Sequence, residues 1–85
     1  MYRPLIQVHL WSGLRSLADG AEVVEVRAAT IGQMLDALVE QVPALADPIE
    51  AGVSVSIDGK IYAQNLTEPI AEGQEVYLLQ RIRGG

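Results

Sequence analysis

The sequence predicts an α+β fold in which one main helix packs against a mixed β-sheet. Short apolar runs with the alternation of strands, and one segment with helical spacing, support this class. Their order along the chain is strand, strand, helix, strand, strand, strand. With 85 residues, 49% of them hydrophobic, the chain is suited to one compact domain.

The chain begins with an alternating run. Residues 5–11 place aliphatic side chains on one side and other side chains opposite, which predicts a half-buried strand. The aliphatic side chains are those of Ile6, Val8 and Leu10. Residues 14–18 then predict a short turn or helical loop, closed by Asp19-Gly20, and residues 22–26 predict a valine-rich second strand.

The helix carries the clearest local signal. Thr30 and Gln33 have the spacing of an N-terminal capping box. The apolar residues that recur at helical spacing are Ile31, Leu35, Leu38, Val39 and Val42. The pattern predicts an amphipathic helix of roughly three turns. Pro43 is expected to end it, because proline cannot continue a helix comfortably.

The second half predicts an irregular connection, a hairpin and a final strand. Residues 43–52 are expected to be irregular, with Leu45 and Ile49 closing one end of the core. Residues 53–57 alternate as a strand, and Asp58-Gly59 is suited to a tight hairpin turn. The remaining elements are a returning strand at residues 60–63, a loop at 65–73 and a strand at 75–80.

Composition and charge argue against several classes of protein. Cysteine is absent, which removes disulfides, thiolate nucleophiles and Cys-type zinc sites. No apolar run has the length of a membrane span, and no signal-peptide pattern is present, so we expect a cytoplasmic protein. Before Arg81 there are 4 basic and 11 acidic side chains, a balance of −7. This charge argues against nucleic-acid binding and suits a positively charged protein partner.

The body of the chain lacks the residue pairs of an enzyme site. His9 is the only histidine, and it is expected to be an outward-facing strand residue. No serine or threonine has a neighbouring histidine to activate it, and the carboxylates show no pattern. Trp11 is expected to pack in the core or at its rim rather than to bind a partner. We therefore expect no intrinsic enzyme activity, no metal and no bound cofactor.

The candidate functional site is the end of the sequence, Gly84-Gly85. Glycine has no Cβ, so this backbone could pass through a slot too narrow for other residues. Transfer of AMP from ATP would turn a terminal carboxylate into an electrophile. Arg81 and Arg83 are placed to supply charge-assisted contacts to a partner. A frayed terminus and a solvated strand end are the alternative interpretations of the glycines and the arginines.

Several short motifs resemble those of one family in their order and spacing. They are Val8-His9-Leu10-Trp11, Leu14-Arg15-Ser16-Leu17-Ala18, Thr30-Ile31-Gly32-Gln33-Met34-Leu35, Val42-Pro43-Ala44-Leu45, Ile57-Asp58-Gly59-Lys60 and the run from Pro69 to Val76. Ending in Gly84-Gly85, this combination resembles the MoaD/ThiS family of sulfur-carrier proteins, relatives of ubiquitin. It is most similar to the small subunit of molybdopterin synthase, over essentially the whole chain.

The resemblance implies a β-grasp fold for residues 1–80 and a flexible tail at residues 81–85. It implies that an E1-like adenylyltransferase uses ATP to adenylate Gly85, which then becomes a thiocarboxylate for cofactor biosynthesis. Gly84 would let the end of the chain enter the cleft of that enzyme. Chain length and the Leu14–Gly20 segment favour the molybdopterin type. The second implied partner is a sulfur-acceptor synthase subunit, so the chain would be a carrier and not itself an enzyme.

The stretch before the glycines leaves a second function open. It lacks the proline common at this position in molybdopterin synthase small subunits, and it is similar to the Leu-Arg-Leu-Arg-Gly-Gly of ubiquitin. Arg81 and Arg83 match the arginine positions, with Ile82 between them, which favours a protein modifier. By the same match Tyr77 and Leu79 would lie on an exposed, docking face of the sheet. Packing under a loop is the alternative for Tyr77, and a plain interaction module is the third interpretation of the chain.

Overall fold

The computed structural model describes residues 3–63 and 65–80, which form five strands, three α-helices and two short 3₁₀ turns. The strands are β1 (Leu5–His9), β2 (Val23–Arg27), β3 (Val53–Ile57), β4 (Lys60–Ala63) and β5 (Val76–Gln80). The α-helices are α1 (Ser12–Arg15), α2 (Ile31–Gln41) and α3 (Ala46–Ala51), and short 3₁₀ turns lie at Ser16–Ala18 and Pro43–Leu45. The predicted order of strands and main helix is confirmed.

The five strands form one mixed sheet in the order β2-β1-β5-β3-β4. β1 and β5 pair in parallel at its centre, and the other neighbours are antiparallel. The last strand of the chain therefore lies between the first strand and the third. An α+β fold with one main helix on a mixed sheet is what the sequence predicts.

The core lies between the sheet and α2. On β1 the predicted alternation is confirmed, since Ile6 and Val8 are buried, as is Leu10 just beyond the strand. Val24 and Val26 of β2 are also buried. From α2 the core receives Ile31, Met34 and Leu38. Because side chains alternate along a strand, the remaining residues of β1 and β2 face away from α2, as do Tyr77 and Leu79 of β5.

The first turn of α2 is capped as the sequence predicts. The backbone N–H of Gln33 donates to Thr30 Oγ1 at 3.2 Å. The side chain of Gln33 reaches back and its Oε1 accepts from the N–H of Ala29 at 2.8 Å. Two backbone donors that the helix itself cannot satisfy are thus paired. The helix ends at Gln41, before Pro43.

The connection after α2 is helical, so the prediction of an irregular segment at residues 43–52 is wrong. Pro43 begins a 3₁₀ turn and Pro48 is the third residue of α3. Both prolines occupy a first turn, where the missing N–H would have no acceptor within the helix. Leu45 is fully buried and Ile49 packs against the core, which confirms that they close its end.

Candidate functional site

The central strand β5 determines where the C-terminal residues leave the domain. Val76 and Leu78 are 0% and 1% exposed, and β5 pairs with strands on both sides. In the register with β3, Gln80 lies opposite Val53. The backbone is therefore held by the sheet up to Gln80. The predicted site residues that follow, Arg81, Ile82, Arg83, Gly84 and Gly85, lie outside the described residues.

One row of side chains crosses the sheet on the face opposite α2. Each member is in register with the next, and the row is Val23, His9, Tyr77, Ser56 and Ile61. Val23, Tyr77 and Ile61 remain 38%, 40% and 63% exposed, whereas Ser56 is 9% exposed. We call this row and the adjoining Leu79 of β5 the open face. Exposed apolar groups spread over three strands are typical of an interaction surface.

His9 and Tyr77 form the centre of the open face. Their ring centroids are 4.4 Å apart with an interplanar angle of 20°, a stacked arrangement. The parallel pairing of β1 with β5 brings the two rings side by side. Tyr77 thus lies exposed on the sheet and against another ring, and Leu79 on the same strand is half-buried. His9 faces outward as the alternation of β1 predicts, whereas no local pattern in the sequence predicts its contact with Tyr77.

A shallow cleft lies at the end of the sheet towards which β5 runs. Its volume is about 280 Å³, and its lining includes His9, Trp11, Tyr77 and Leu79. Trp11 is half-buried and packs against the core, in agreement with its predicted packing in the core or at its rim. Arg15 Nε donates to the carbonyl of Leu10 at 3.0 Å, which holds this side chain at the cleft.

A roomier groove lies on the helix side of the sheet. It has a volume of about 440 Å³ and is lined mainly by aliphatic side chains, among them those of Leu35, Ile49 and Val55. Asp36 supplies charge at its edge. The groove contains no acid–base pair among the described residues, so it offers packing surface rather than chemistry. We therefore place the candidate site on the open face and not in this larger groove.

Two further properties concern residues 3–63 and 65–80. No group of three or more His, Cys, Asp or Glu residues in these ranges is arranged to hold a metal ion. None of the helices there has the length and apolar character needed to cross a membrane.

Solved structures show which fold this is. The solution structure of small archaeal modifier protein 1 from Methanosarcina acetivorans has a TM-score of 0.81 at 20% identity, with both chains fully covered (100%). A chain of the BexX/CysO complex of Amycolatopsis orientalis has a TM-score of 0.71 at 19% identity, covering 93% of this chain and 98% of that one. At these identities the likeness defines the fold alone. This protein has the ubiquitin-like β-grasp fold that its sequence implied.

Sequence comparison then gives the family. A family model described as the ThiS family matches residues 8–85. The crystal structure of SAMP1 from Haloferax volcanii is 30% identical, with a TM-score of 0.73, and covers 95% of this chain and 99% of that chain. No curated protein matches the sequence. The chain belongs to the ThiS family, and the resemblance found in its motifs is confirmed.

Proposed function

We propose that this protein is a sulfur carrier whose Gly85 carboxylate is adenylated by an E1-like partner and converted to a thiocarboxylate. The observation that carries the proposal is the extent of the family match, which runs to residue 85 and includes Gly84-Gly85. Only residues 81–83 separate these glycines in sequence from β5, a strand that the sheet holds on both sides. The chain acts as a co-substrate, and catalysis belongs to its partners.

The chemistry needs no catalytic side chain from this protein. A carboxylate oxygen of Gly85 attacks the α-phosphorus of ATP, which gives an acyl adenylate and releases pyrophosphate. A hydrosulfide-class donor then attacks the carbonyl carbon; the carbon–sulfur bond forms, the bond to AMP breaks, and the donor proton goes to a base. Splitting the reaction in this way replaces an oxide leaving group with AMP. The thiocarboxylate is then the nucleophile that a sulfur-acceptor synthase subunit presents to its substrate.

We assign recognition by the adenylyltransferase to the open face and to residues 81–83, which follow β5 in the sequence. The stack of Tyr77 on His9 and the neighbouring Leu79 offer an apolar centre for docking. Arg81 and Arg83, with Ile82 between them, extend the contact along the tail. The excess of 11 acidic over 6 basic side chains suits a partner with a basic rim.

The acceptor pathway we favour is of the molybdopterin type. Chain length supports this choice, as does the segment after β1, which forms α1 and a 3₁₀ turn ending at Ala18. Left-handed Asp19, with φ of 56°, then turns the chain into β2. Gly84 allows the terminal residue to enter the catalytic cleft of the partner.

Conjugation to other proteins is the second candidate function. It is favoured by 30% identity to SAMP1 of Haloferax volcanii, which is named as a small archaeal modifier protein. The same activated Gly85 would then form an amide bond with a lysine amine instead of accepting sulfur. The two functions share the adenylation step and differ in the nucleophile.

Intact mass spectrometry of the untagged protein from its native cells tests both functions. A fraction heavier by the exchange of one oxygen for sulfur, located at Gly85, is the expected result. A variant lacking Gly85 is the control and must lack this fraction. Gly-Gly remnants on lysines of other proteins, in the absence of sulfur-bearing protein, would support conjugation instead of sulfur transfer. Finding neither product would reject both functions and leave an interaction module.

A further inference from the structure

We propose that β2 pairs with β2 of a second copy of this chain, so that two copies form a symmetric dimer with one continuous sheet. Charge identifies the partner, because in this pairing Glu25 of each copy lies opposite Arg27 of the other. The interface involves Glu25, Val26 and Arg27, to which the proposed function assigns no role. It can therefore be tested independently of sulfur transfer.

The backbone of β2 presents a row of free hydrogen-bonding groups. β2 is an edge strand of the sheet, with β1 as its neighbour. The N–H of Leu10 donates to the carbonyl of Glu22 at 2.9 Å. Because hydrogen-bonded positions alternate along an antiparallel pair, every second residue from Glu22 bonds to β1. Val23, Glu25 and Arg27 therefore direct their N–H and C=O groups away from the sheet.

This edge is uncovered in the part of the chain that the structure describes. Within residues 3–63 and 65–80, the outward backbone groups of Val23, Glu25 and Arg27 bond to no other backbone group. A groove of about 400 Å³ lies between β2 and α2, so the helix does not fill the space along the strand. An edge strand with unpaired backbone groups is a template for pairing with another strand.

The side chains on this edge carry opposite charges at a spacing of two residues. Glu25 and Arg27 are exposed and lie on the same face, because side chains alternate along a strand. Glu25 Oε2 accepts from Gln7 Nε2 at 3.1 Å, and Arg27 Nη1 donates to the carbonyl of Arg3 at 3.4 Å. Both contacts are exposed, and neither charged group takes part in an ion pair within the described ranges.

A two-fold axis at Val26 gives the register in which these charges match. Glu25 of one copy then lies opposite Arg27 of the other, and both residues have outward backbone groups, so the pair exchanges two hydrogen bonds. Opposite charges directly across paired strands attract, and the symmetric interface repeats every contact. A register centred on Glu25 would instead place like charges opposite each other, which is destabilising.

The charge match distinguishes β2 from the other edge strand. β4 carries Lys60 and no acidic residue, so two copies paired along β4 would gain no ion pair. Each copy has a net charge of −5, which opposes association in general, and the attraction must therefore be local. One strand pair is a small interface, so we expect a weak dimer in exchange with the monomer.

The pairing leaves the docking surface of both copies accessible. Residues directly opposite one another on paired strands point to the same face of the sheet. Both open faces therefore lie on one side of the joined sheet, and the α2 helices lie on the other. The dimer is thus compatible with binding of an adenylating partner.

Sedimentation velocity of the untagged full-length protein, up to millimolar concentration, tests the charge match. The wild type should self-associate, and E25R and R27E should each lower the association constant about tenfold or more, because each places like charges opposite one another. An equimolar mixture of the two variants should associate at least as strongly as the wild type. It brings a strand with two cations against a strand with two anions.

Glu50→Arg is the matched control. Glu50 is exposed on α3, away from β2, and its substitution changes the net charge by the same amount as E25R. E50R should keep the wild-type association constant, and a mixture of E50R with R27E should not form the mixed dimer.

Glu25→Pro tests the backbone pairing itself. Proline removes the outward N–H of residue 25 and leaves the hydrogen bonds to β1, a position that edge strands tolerate. We expect E25P to remain folded, as judged by thermal unfolding, and to be monomeric at millimolar concentration. In the wild type, exchange of the Glu25 and Arg27 amide hydrogens should slow as protein concentration rises, while that of the β4 amides stays constant.

Several results would overturn the proposal. A monomeric wild type at millimolar concentration would do so, as would undiminished association of E25R or a mixture of E25R and R27E that stays monomeric. A dimer that persists in folded E25P would place the interface elsewhere on the molecule. None of these results bears on sulfur at Gly85, so the carrier function is tested separately.

Discussion

At the scale of single residues, the glycines of this chain serve two different requirements. Gly73 has φ of 89°, and a Cβ built there meets no atom within 4 Å, so the residue is required by its backbone conformation and not by space. For Gly84 and Gly85 we propose the opposite reason: space is limiting, because the end of the chain must enter the narrow cleft of a partner. The two kinds can be separated by experiment, because alanine affects stability in one case and activation in the other.

We expect Gly84→Ala or Gly85→Ala to leave folding unchanged and to lower the yield of sulfur-bearing protein by about 100-fold, as misplacement of a reacting group by 1 Å can do. Stability should not change because the buried hydrophobic residues of the described chain lie between Ile6 and Leu78. Thermal unfolding and intact mass measure the two effects. Gly73→Ala is the matched control, expected to lose about 1–2 kcal/mol of stability while keeping sulfur transfer. A normal sulfur yield in Gly85→Ala would refute the narrow-cleft argument.

Tyr77 allows a test of the open face. Replacing Tyr77 with Ala removes the stack on His9, and we expect the affinity for the adenylating partner to fall about tenfold, which corresponds to about 1.4 kcal/mol. The free energy of unfolding should fall by less than it does when a core residue is truncated, because Tyr77 is 40% exposed. Titration of the purified partner, followed by calorimetry, measures the affinity.

Leu17→Ala is the control for Tyr77. Leu17 is similarly exposed, at 41%, but lies in the 3₁₀ turn after α1 and not on the open face. Its substitution should leave the affinity unchanged. Equal losses in the two variants would show that exposed apolar area in general, and not the open face, determines docking.

At the scale of elements, local chemistry made the main features predictable. The capping box of α2, the alternation of β1 and the tight turn after β3 each involve residues near one another in sequence. The helix α3 escaped prediction because Pro43 and Pro48 look like helix breakers until their first-turn positions are known. The contact of His9 with Tyr77 joins residues far apart in sequence. Alternation indicates which face a side chain occupies but not which strand lies beside it.

Thr30 provides a measurable test at this scale. Thr30→Ala removes the hydroxyl that accepts from the Gln33 N–H, and we expect a loss of about 1 kcal/mol and a midpoint lower by about 4–8 °C. Thr67→Ala, in the exposed loop before Pro69, is the control and should change stability by less than about 0.5 kcal/mol. Both are measured by thermal and denaturant unfolding. If the stability of Thr30→Ala equalled that of the wild type, the hydrogen bond between the Gln33 side chain and the Ala29 N–H would suffice as the cap.

At the scale of the whole molecule, the stability of the fold depends on a strand near the end of the sequence. β5 lies between β1 and β3, so it joins the β2-β1 hairpin to the β3-β4 hairpin. Its pairing with β1 connects positions such as His9 and Tyr77. Folding must therefore bring distant parts of the chain together before the core is complete. β5 also precedes the C-terminal residues to which the chemistry is assigned. The described sheet therefore ends at Gln80, immediately before the proposed site in the sequence.

Two truncations separate the role of β5 from the role of the residues after it. Ending the chain after Gln80 should preserve the circular dichroism spectrum and shift the unfolding midpoint by no more than about 4 °C, the effect of about 1 kcal/mol or less, while abolishing sulfur attachment. Ending it after Glu75 removes Val76 and Leu78, which are 0% and 1% exposed, and divides the sheet into two hairpins. Because an isolated hairpin is marginally stable in water, that fragment should lack a cooperative transition and show poorly dispersed NMR spectra. A cooperative transition in the shorter fragment would show that α2 and the two hairpins suffice for folding, and that the central position of β5 serves its partners rather than the fold.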